Sequence, residues 1–264
     1  MAIPLQGCSP LQRGTIDLAL AHQYRYTLDR SLPPTVPDGT PGVLYGTEAP
    51  AGAVLLPPCS PSKIVCVGRN YAEHAKELGN DVPAEPLLFL KPPSSLLGHE
   101  GRIVYPSISK NVHFEGELGV IIGRRARHVK AAGAREVIRG YTCLNDVTAR
   151  DIQRKDVQFT RGKGFDTFCA TGPFTVPVGE LDPSTARVIT RVDGEVRQDA
   201  PVTDMIFSIG VLIEFITAAM TLEPGDLIAT GTPPGVGPMT PGAVVEVEVT
   251  GLGVLRNFVV EESL

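Results

Sequence analysis

Tryptophan is absent from this chain, aromatic residues make up only 6% of it and charged residues only 20%. The missing patterns exclude more than the missing residues do. No apolar run reaches the ~20 residues of a membrane-spanning helix; the longest candidate, Val211 to Met220, is broken by Glu214. Basic residues are not in surplus. The 24 Lys and Arg against 29 Asp and Glu leave a net charge of −5, which argues against the basic face that non-specific nucleic-acid binding needs. Met1 to Ser9 carries neither the basic start nor the long apolar stretch of a secretory signal. The five cysteines (Cys8, Cys59, Cys66, Cys143 and Cys169) are scattered and form no CxxC pair. Cys66 and Cys143 sit in apolar runs and read as small core residues. Together these absences point to a reduced, cytoplasmic protein with no nucleic-acid and no membrane partner. The P-loop G-x-x-x-x-G-K-[ST] and the esterase G-x-S-x-G are missing too, and His99-Glu100 lacks the second histidine of a zincin.

What the chain has in excess is 28 Gly and 24 Pro among 264 residues, about a fifth of the total. Each Gly or Pro inside a helix costs ~1–3 kcal/mol, so helical bundles are excluded and a β-rich domain with many turns is expected. A hydrophobic content of 42% excludes a disordered chain. The length suits one large domain with a small appendage. Residues 1–60, rich in Pro, Gly and Thr, read as a small N-terminal module with short strands at Ile16 to Leu20 and Val43 to Tyr45. Pro57 to Pro61 reads as a linker, and 61–264 as the main domain. Strands are expected at 64–68, 87–90, 113–122, 141–144, 174–176, 186–192, 227–230 and 244–249. Asn70 to Leu78 reads as a short helix capped by Asn70, and Thr148 to Lys155 as another. One long amphipathic helix is expected from Asp204 to Thr221, capped by Thr203 or Asp204.

Several constellations can carry chemistry. Glu115 and Glu117 lie two apart in the apolar run 113–122, so a strand puts both on one face, about 6.7 Å apart. Two such carboxylates either share a divalent cation or mark a solvated edge. Asp146, where an apolar strand gives way to a turn, is either a third ligand or a helix cap. Three carboxylates suit Mg²⁺ or Mn²⁺ rather than Zn²⁺. His113 shares that face as a fourth ligand or as a satisfied histidine. His74 and Glu77, three apart on a helix, form either a general base with its orienting carboxylate or an ordinary solvated pair. Lys163, between Gly162 and Gly164, reads as a cation on an exposed, adaptable loop, able to reach an anion or an enolate. The loop Gly231 to Gly237 is able to present Thr232 and backbone N–H groups to a carboxylate. The roles of Arg69 (anion contact or hinge pairing) and Lys91 (substrate contact or partner of an acidic neighbour) stay open.

Five segments occur together and in order: Val67-Gly-Arg-Asn-Tyr-Ala-Glu-His74, Phe89-Leu-Lys-Pro92, Glu115-Gly-Glu-Leu-Gly-Val120, Asn145-Asp-Val-Thr-Ala-Arg-Asp151 and Ala229-Thr-Gly-Thr-Pro233. On these segments residues 61–260 resemble the fumarylacetoacetate hydrolase family, specifically its shorter bacterial and mitochondrial type. The resemblance implies an α+β, predominantly β fold: a mixed β-roll with flanking helices, assembled as a homodimer. It also implies that Glu115, Glu117 and Asp146 hold Mg²⁺ or Mn²⁺ and that Lys163 is the site lysine. Gln153 and Thr232 would contact the substrate, Thr232 at its carboxylate, with Arg69 a further candidate. His74 and Glu77 would form a dyad on a mobile lid. The expected substrates are small 2-oxo or 2,4-diketo acids, and the dyad favours hydrolysis of the C–C bond of acylpyruvates or fumarylpyruvate. Isomerisation of 2-hydroxyhepta-2,4-diene-1,7-dioate and decarboxylation of oxaloacetate are the alternatives within the family. A catalytically silent scaffold is the alternative outside it.

Overall fold

The computed structural model describes residues 24–27, 43–44 and 54–263. The strand expected at 16–20 and most of the Pro-rich stretch before residue 54 lie outside the described residues. In chain order the first strands are β1 (Tyr24–Thr27), β2 (Val43–Leu44), β3 (Val54–Leu55) and β4 (Ile64–Gly68), followed by helix α1 (Ala72–Glu77). Then come β5 (Leu87–Lys91), β6 (Leu96–Leu97), β7 (Arg102–Tyr105), β8 (Val112–Phe114), β9 (Gly116–Ile122), β10 (Ile138–Asp146) and β11 (Thr148–Ala149). Helices α2 (Arg150–Lys155) and α3 (Thr160–Lys163) lead to β12 (Cys169–Pro177), β13 (Arg187–Val192) and β14 (Glu195–Pro201). Helix α4 (Ile209–Ala219), β15 (Leu227–Ala229), β16 (Gly237–Pro238), β17 (Val244–Val249) and β18 (Gly253–Glu261) complete the chain.

The protein is mostly β, as its Gly and Pro content requires, and its main sheet curls into a half-barrel. That sheet has seven strands in the order β5-β4-β15-β9-β10-β12-β6. Beside it lie a five-stranded sheet (β14-β13-β17-β18-β7) and a small one (β11-β8-β16); β2-β1-β3 form a further small sheet. The central strands β9, β10 and β12 are buried almost throughout, so they read as continuous apolar runs rather than alternating ones. Leu118 and Val120 of β9 and Cys143 of β10 pack with Val65 of β4 and with Leu212, Ile213 and Ile216 of α4 into one core. Cys59 and Cys66 join a second cluster with Ile64, Ile121 and Leu144, so the segment read as a linker is packed at Cys59. Among the described residues the cysteines are buried and form no disulfide, as small core residues should.

Three local expectations are corrected, and two share a cause. Asn70 does not cap α1, whose N-cap is Tyr71 with no side-chain bond. Its fully buried amide instead donates to Thr230 O (2.7 Å) and Phe207 O, and accepts from Phe207 N–H (2.8 Å). Ile206 N–H also bonds Asn70 O, and Met205 bridges Tyr71. These bonds hold residues 205–207 outside a helix, so the long helix starts late, at Ile209, with Ser208 rather than Thr203 or Asp204 as its cap. The third correction concerns Thr148 and Ala149, which pair as β11 with His113 and Val112, so α2 begins only at Arg150. Strands β7, β14 and β18 are not anticipated. In β14 only Gln198 and Ala200 are buried, so it has almost no apolar signal.

Candidate functional site

The run 113–122 is not one strand. It breaks at Glu115, where the chain leaves the small sheet (β8) for the main sheet (β9). The same switch occurs in reverse at Asp146 to Thr148, where β10 ends and β11 begins. The two switches are stitched together: Asp146 N–H donates to Glu115 O at 2.8 Å, and Glu115 N–H donates to Asn145 Oδ1 at 2.9 Å. Glu115, Glu117 and Asp146 thus converge at one junction, with ligand atoms all within 4.8 Å of one another and all three residues buried. His113 stays outside this cluster. It bonds Asn111 at 2.9 Å, and burial followed by the nearby Arg150 pushes its pKa down to about 4.

Three buried cations face the three carboxylates. Lys163 Nζ donates to Glu115 Oε2 (2.8 Å) and Asp146 Oδ2 (2.7 Å). Arg150 donates to Glu115 Oε1 and, at 3.0 Å, to Gln153 Oε1. Lys91 pairs with Asp146 Oδ1 at 2.7 Å, so of its two readings the pairing with an acidic neighbour is the one observed. Lys163 is not on an exposed loop. It ends the short helix α3 and is 2% exposed. Its flanking glycines serve close approach rather than flexibility: a Cβ on Gly162 would lie 2.8 Å from Gln153 N, and one on Gly164 2.4 Å from Thr160 O.

The electrostatics follow from this layout. Burial alone would raise the pKa of Glu115, but Arg150 and Lys163 outweigh it and hold the carboxyl well below the usual range. Glu117 has no such cation on it. Burial, then Asp146 and Glu115, push it well above 4.5, although Gly231 N–H donates to it at 2.8 Å. Burial would lower the pKa of Lys163, but Asp146 and Glu115 raise it, so the ammonium persists.

The cluster fits a hard divalent cation. Its donors are all carboxylate oxygens, and Glu115 and Asp146 already share an ammonium between them. A cation entering the site would displace the Glu117 proton, so affinity for Mn²⁺ or Mg²⁺ should rise with pH until the raised Glu117 carboxyl ionises. Isothermal titration in two buffers of different ionisation enthalpy would register the released proton; an affinity independent of pH would contradict a protonated Glu117.

Over this cluster lies a cavity of about 280 Å³. Glu115, Lys163, Arg150, Gln153, Arg69, His74 and Thr232 line it, while Glu117 and Asp146 lie behind its wall. His74 is buried on α1, with Nδ1 3.3 Å from Glu77 Oε2. A carboxylate only accepts, so Nδ1 carries the proton and Nε2 is left as the acceptor. Burial lowers the His74 pKa, opposed by Glu115 and Glu77, so the ring is neutral near pH 7. Glu77 also accepts from Gly235 N–H at 3.0 and 3.2 Å, which fastens α1 to the loop after β15. Thr232 is placed differently from expectation. Its hydroxyl donates to Gly116 O (2.8 Å) and accepts from Gln198 (2.7 Å), so it has no proton left for a carboxylate. Arg69, at the β4–α1 junction with φ +57°, has no hydrogen-bond or ion-pair partner among the described residues. Gln153 gives its oxygen to Arg150 and keeps its NH₂ free.

Sequence reasoning assigned no role to Arg150 or Gln198. Arg150 stood inside the Asn145–Asp151 segment, which was the available signal. Gln198 bonds Gly116 N–H, Thr232 Oγ1 and Pro233 O from a strand 82 residues away from Gly116, and nothing local marks it.

Comparison with known proteins places this geometry. The family model described as fumarylacetoacetate (FAA) hydrolase C-terminal matches residues 63–260. A mitochondrial oxaloacetate decarboxylase of Dictyostelium discoideum is 46% identical over 202 residues, which cover 74% of this chain and 92% of the relative. The solved structure of 2-hydroxyhepta-2,4-diene-1,7-dioate isomerase from Mycobacterium marinum is 40% identical with a TM-score of 0.78, covering 92% of this chain and 100% of the other. Fumarylpyruvate hydrolase from Pseudomonas aeruginosa, solved in complex with Mn²⁺ and pyruvate, is 34% identical with a TM-score of 0.73, covering 79% of this chain and 92% of the other. No helix among the described residues is long and apolar enough to cross a membrane.

Proposed function

Because this chain is an enzyme of the fumarylacetoacetate hydrolase family, we propose that it cleaves the C3–C4 bond of small 2-oxo acids bearing an acyl or carboxyl group at C4. One observation carries the hydrolytic form of this reading. A buried, neutral histidine, held by a carboxylate, lines the same cavity as Glu115 and Lys163.

Glu115, Glu117 and Asp146 would hold Mg²⁺ or Mn²⁺, which when bound polarises the 2-oxo group and offsets the charge of the departing enolate. The chain's own residues do the rest. Arg69 and the free NH₂ of Gln153 bind the substrate carboxylate. Lys163 has spent two of its three N–H donors on Glu115 and Asp146; the third donates to the 2-oxo oxygen as negative charge develops there. His74 Nε2 takes a proton from water, and the resulting hydroxide adds to the C4 carbonyl. The C3–C4 bond then breaks. Its electron pair moves to C3 and onto the 2-oxo oxygen, leaving the pyruvate enolate and a carboxylic acid. The proton held by His74 is passed on to C3, which gives pyruvate, restores the neutral ring and completes the turnover.

A second reading, decarboxylation of oxaloacetate, is favoured by the Dictyostelium relative. Three carboxylates balanced by Lys91, Arg150 and Lys163 leave a loaded site at about +2, which matches a dicarboxylate, oxaloacetate and fumarylpyruvate alike. Here the bond breaks without attacking water, so His74 is dispensable for cleavage. His74→Ala should therefore cut acetylpyruvate and fumarylpyruvate hydrolysis by about 10²–10³-fold while sparing most oxaloacetate decarboxylation. Product analysis across these substrates and the C7 dienedioate would separate the reactions; undiminished hydrolysis in the variant would remove His74 as the base.

A further inference from the structure

Lys91 is 1% exposed and is among the largest fully buried side chains of the protein. It is not among the residues that line the cavity over the carboxylate cluster. Its ammonium nonetheless sits at the centre of the site's supports. It pairs with Asp146 Oδ1 at 2.7 Å and donates to Val147 O at 3.0 Å and Phe168 O at 2.9 Å. It also donates to the carbonyl oxygen of Lys163. Three carbonyl oxygens take its three N–H donors and Asp146 Oδ1 adds an ion pair without a hydrogen bond, so one point charge ties together three separate segments: the β10–β11 switch, the end of α3 and the approach to β12. Phe168 places its ring 5.9 Å away as a further wall.

These contacts fix two functional groups at once. Asp146 has one oxygen held by Lys91 and the other turned to Lys163, so its carboxylate plane is set before any ligand arrives. The backbone of Lys163 is held through its carbonyl by the same ammonium, which aims its side chain back at Glu115 and Asp146. An arginine, with its donors spread over a planar fork instead of a compact tripod, cannot place them on three carbonyl oxygens arranged around one point.

We infer that Lys91 is a positioning residue that orients Asp146 and Lys163 for divalent-cation binding. This rests on the metal reading of the Glu115–Glu117–Asp146 cluster. The inference opposes simple electrostatics. A positive charge beside a cation site repels the cation, so removing it without loss of geometry should tighten binding. If Lys91 acts by position, removing it should loosen binding instead.

The test is Mn²⁺ titration, by calorimetry, of the full chain and of Lys91→Met and Lys91→Arg, with near-ultraviolet circular dichroism to confirm folding. Positioning predicts a loss of affinity of about 10–100-fold in Lys91→Met, the range seen when supports of ligand residues are removed. It predicts no rescue by Lys91→Arg, although the charge is retained. Unchanged or tighter binding by folded Lys91→Met, or full recovery in Lys91→Arg, overturns the inference. A wild-type protein that binds no Mn²⁺ overturns the metal reading instead. A readout independent of any Lys91 variant is the ¹⁵Nζ resonance of the buried ammonium in the wild-type protein, told apart from that of Lys163 with Lys163→Met. It should shift saturably with added Mg²⁺, and a resonance indifferent to saturating Mg²⁺ in a protein that binds the ion also overturns the inference.

Discussion

Glu117→Gln is expected to raise the melting temperature of the metal-free protein while abolishing its response to Mn²⁺ or Mg²⁺. Glu117 is buried beside Asp146 and Glu115, and its pKa in the fold lies well above 4.5. A carboxyl raised in this way costs stability once the pH passes its unfolded value, because the unfolded chain ionises while the fold keeps the proton. The cost grows up to the folded pKa and is absent near pH 4. Glutamine keeps the shape and the Gly231 hydrogen bond but has no charge to suppress, so the gain should appear above pH 5, at about 2–4 °C per kcal/mol for a chain of this size. The same change removes one of three carboxylates from the candidate metal site. If turnover depends on the ion, kcat/KM should fall at least about 10⁴-fold, the equivalent of several kcal/mol of lost charge stabilisation. Thermal scans with and without Mn²⁺ check both halves. A less stable apo protein that keeps a full metal-induced shift would contradict the assignment.

Lys163→Met should have the opposite signature. The ammonium offsets Glu115 and Asp146, both buried, and its pKa is raised, so its stabilisation is complete at neutral pH and is lost only as pH climbs through the raised value above 10.5. Removing one partner of a buried ion pair costs about 3–5 kcal/mol. Acid should shrink the loss, because carboxylates short of a counter-charge can then take up protons. Added Mn²⁺ should restore much of the stability by supplying positive charge between the same oxygens. It should not restore the rate, because the N–H aimed at the developing enolate is gone, a loss of about 10³-fold. Urea unfolding at pH 5 and pH 8, paired with turnover at saturating Mn²⁺, separates the two effects. Recovery of both stability and rate with metal would mean that Lys163 only fills the site.

The chemistry of the site was more legible than its geometry. Glu115 and Glu117 could be picked out because carboxylates in an apolar run are costly unless they are used, and Asp146 because it stands where an apolar strand gives way to a turn, whereas Lys163, His74 and Glu77 gained their site roles only from the resemblance of the ordered segments to the family. Their arrangement was not legible. Strand alternation put Glu115 and Glu117 on one face of one strand, whereas they converge because the chain changes sheets at Glu115. Glycines around Lys163 suggested a loose loop, whereas they admit close packing against Gln153 and Thr160. Thr232 promised a donor to substrate, but Gly116 and Gln198 claim its hydroxyl.

A turn-rich β protein is legible in local composition because helix and turn propensity act residue by residue, and the family is legible in the ordered segments. Which charges neutralise which is a property of the fold: Arg150 on Glu115, Lys91 on Asp146, and neither on Glu117. Pairing depends on where sheets exchange strands, and those exchanges join residues as far apart as Gly116 and Thr232, 116 positions, through hydrogen bonds that no local pattern encodes.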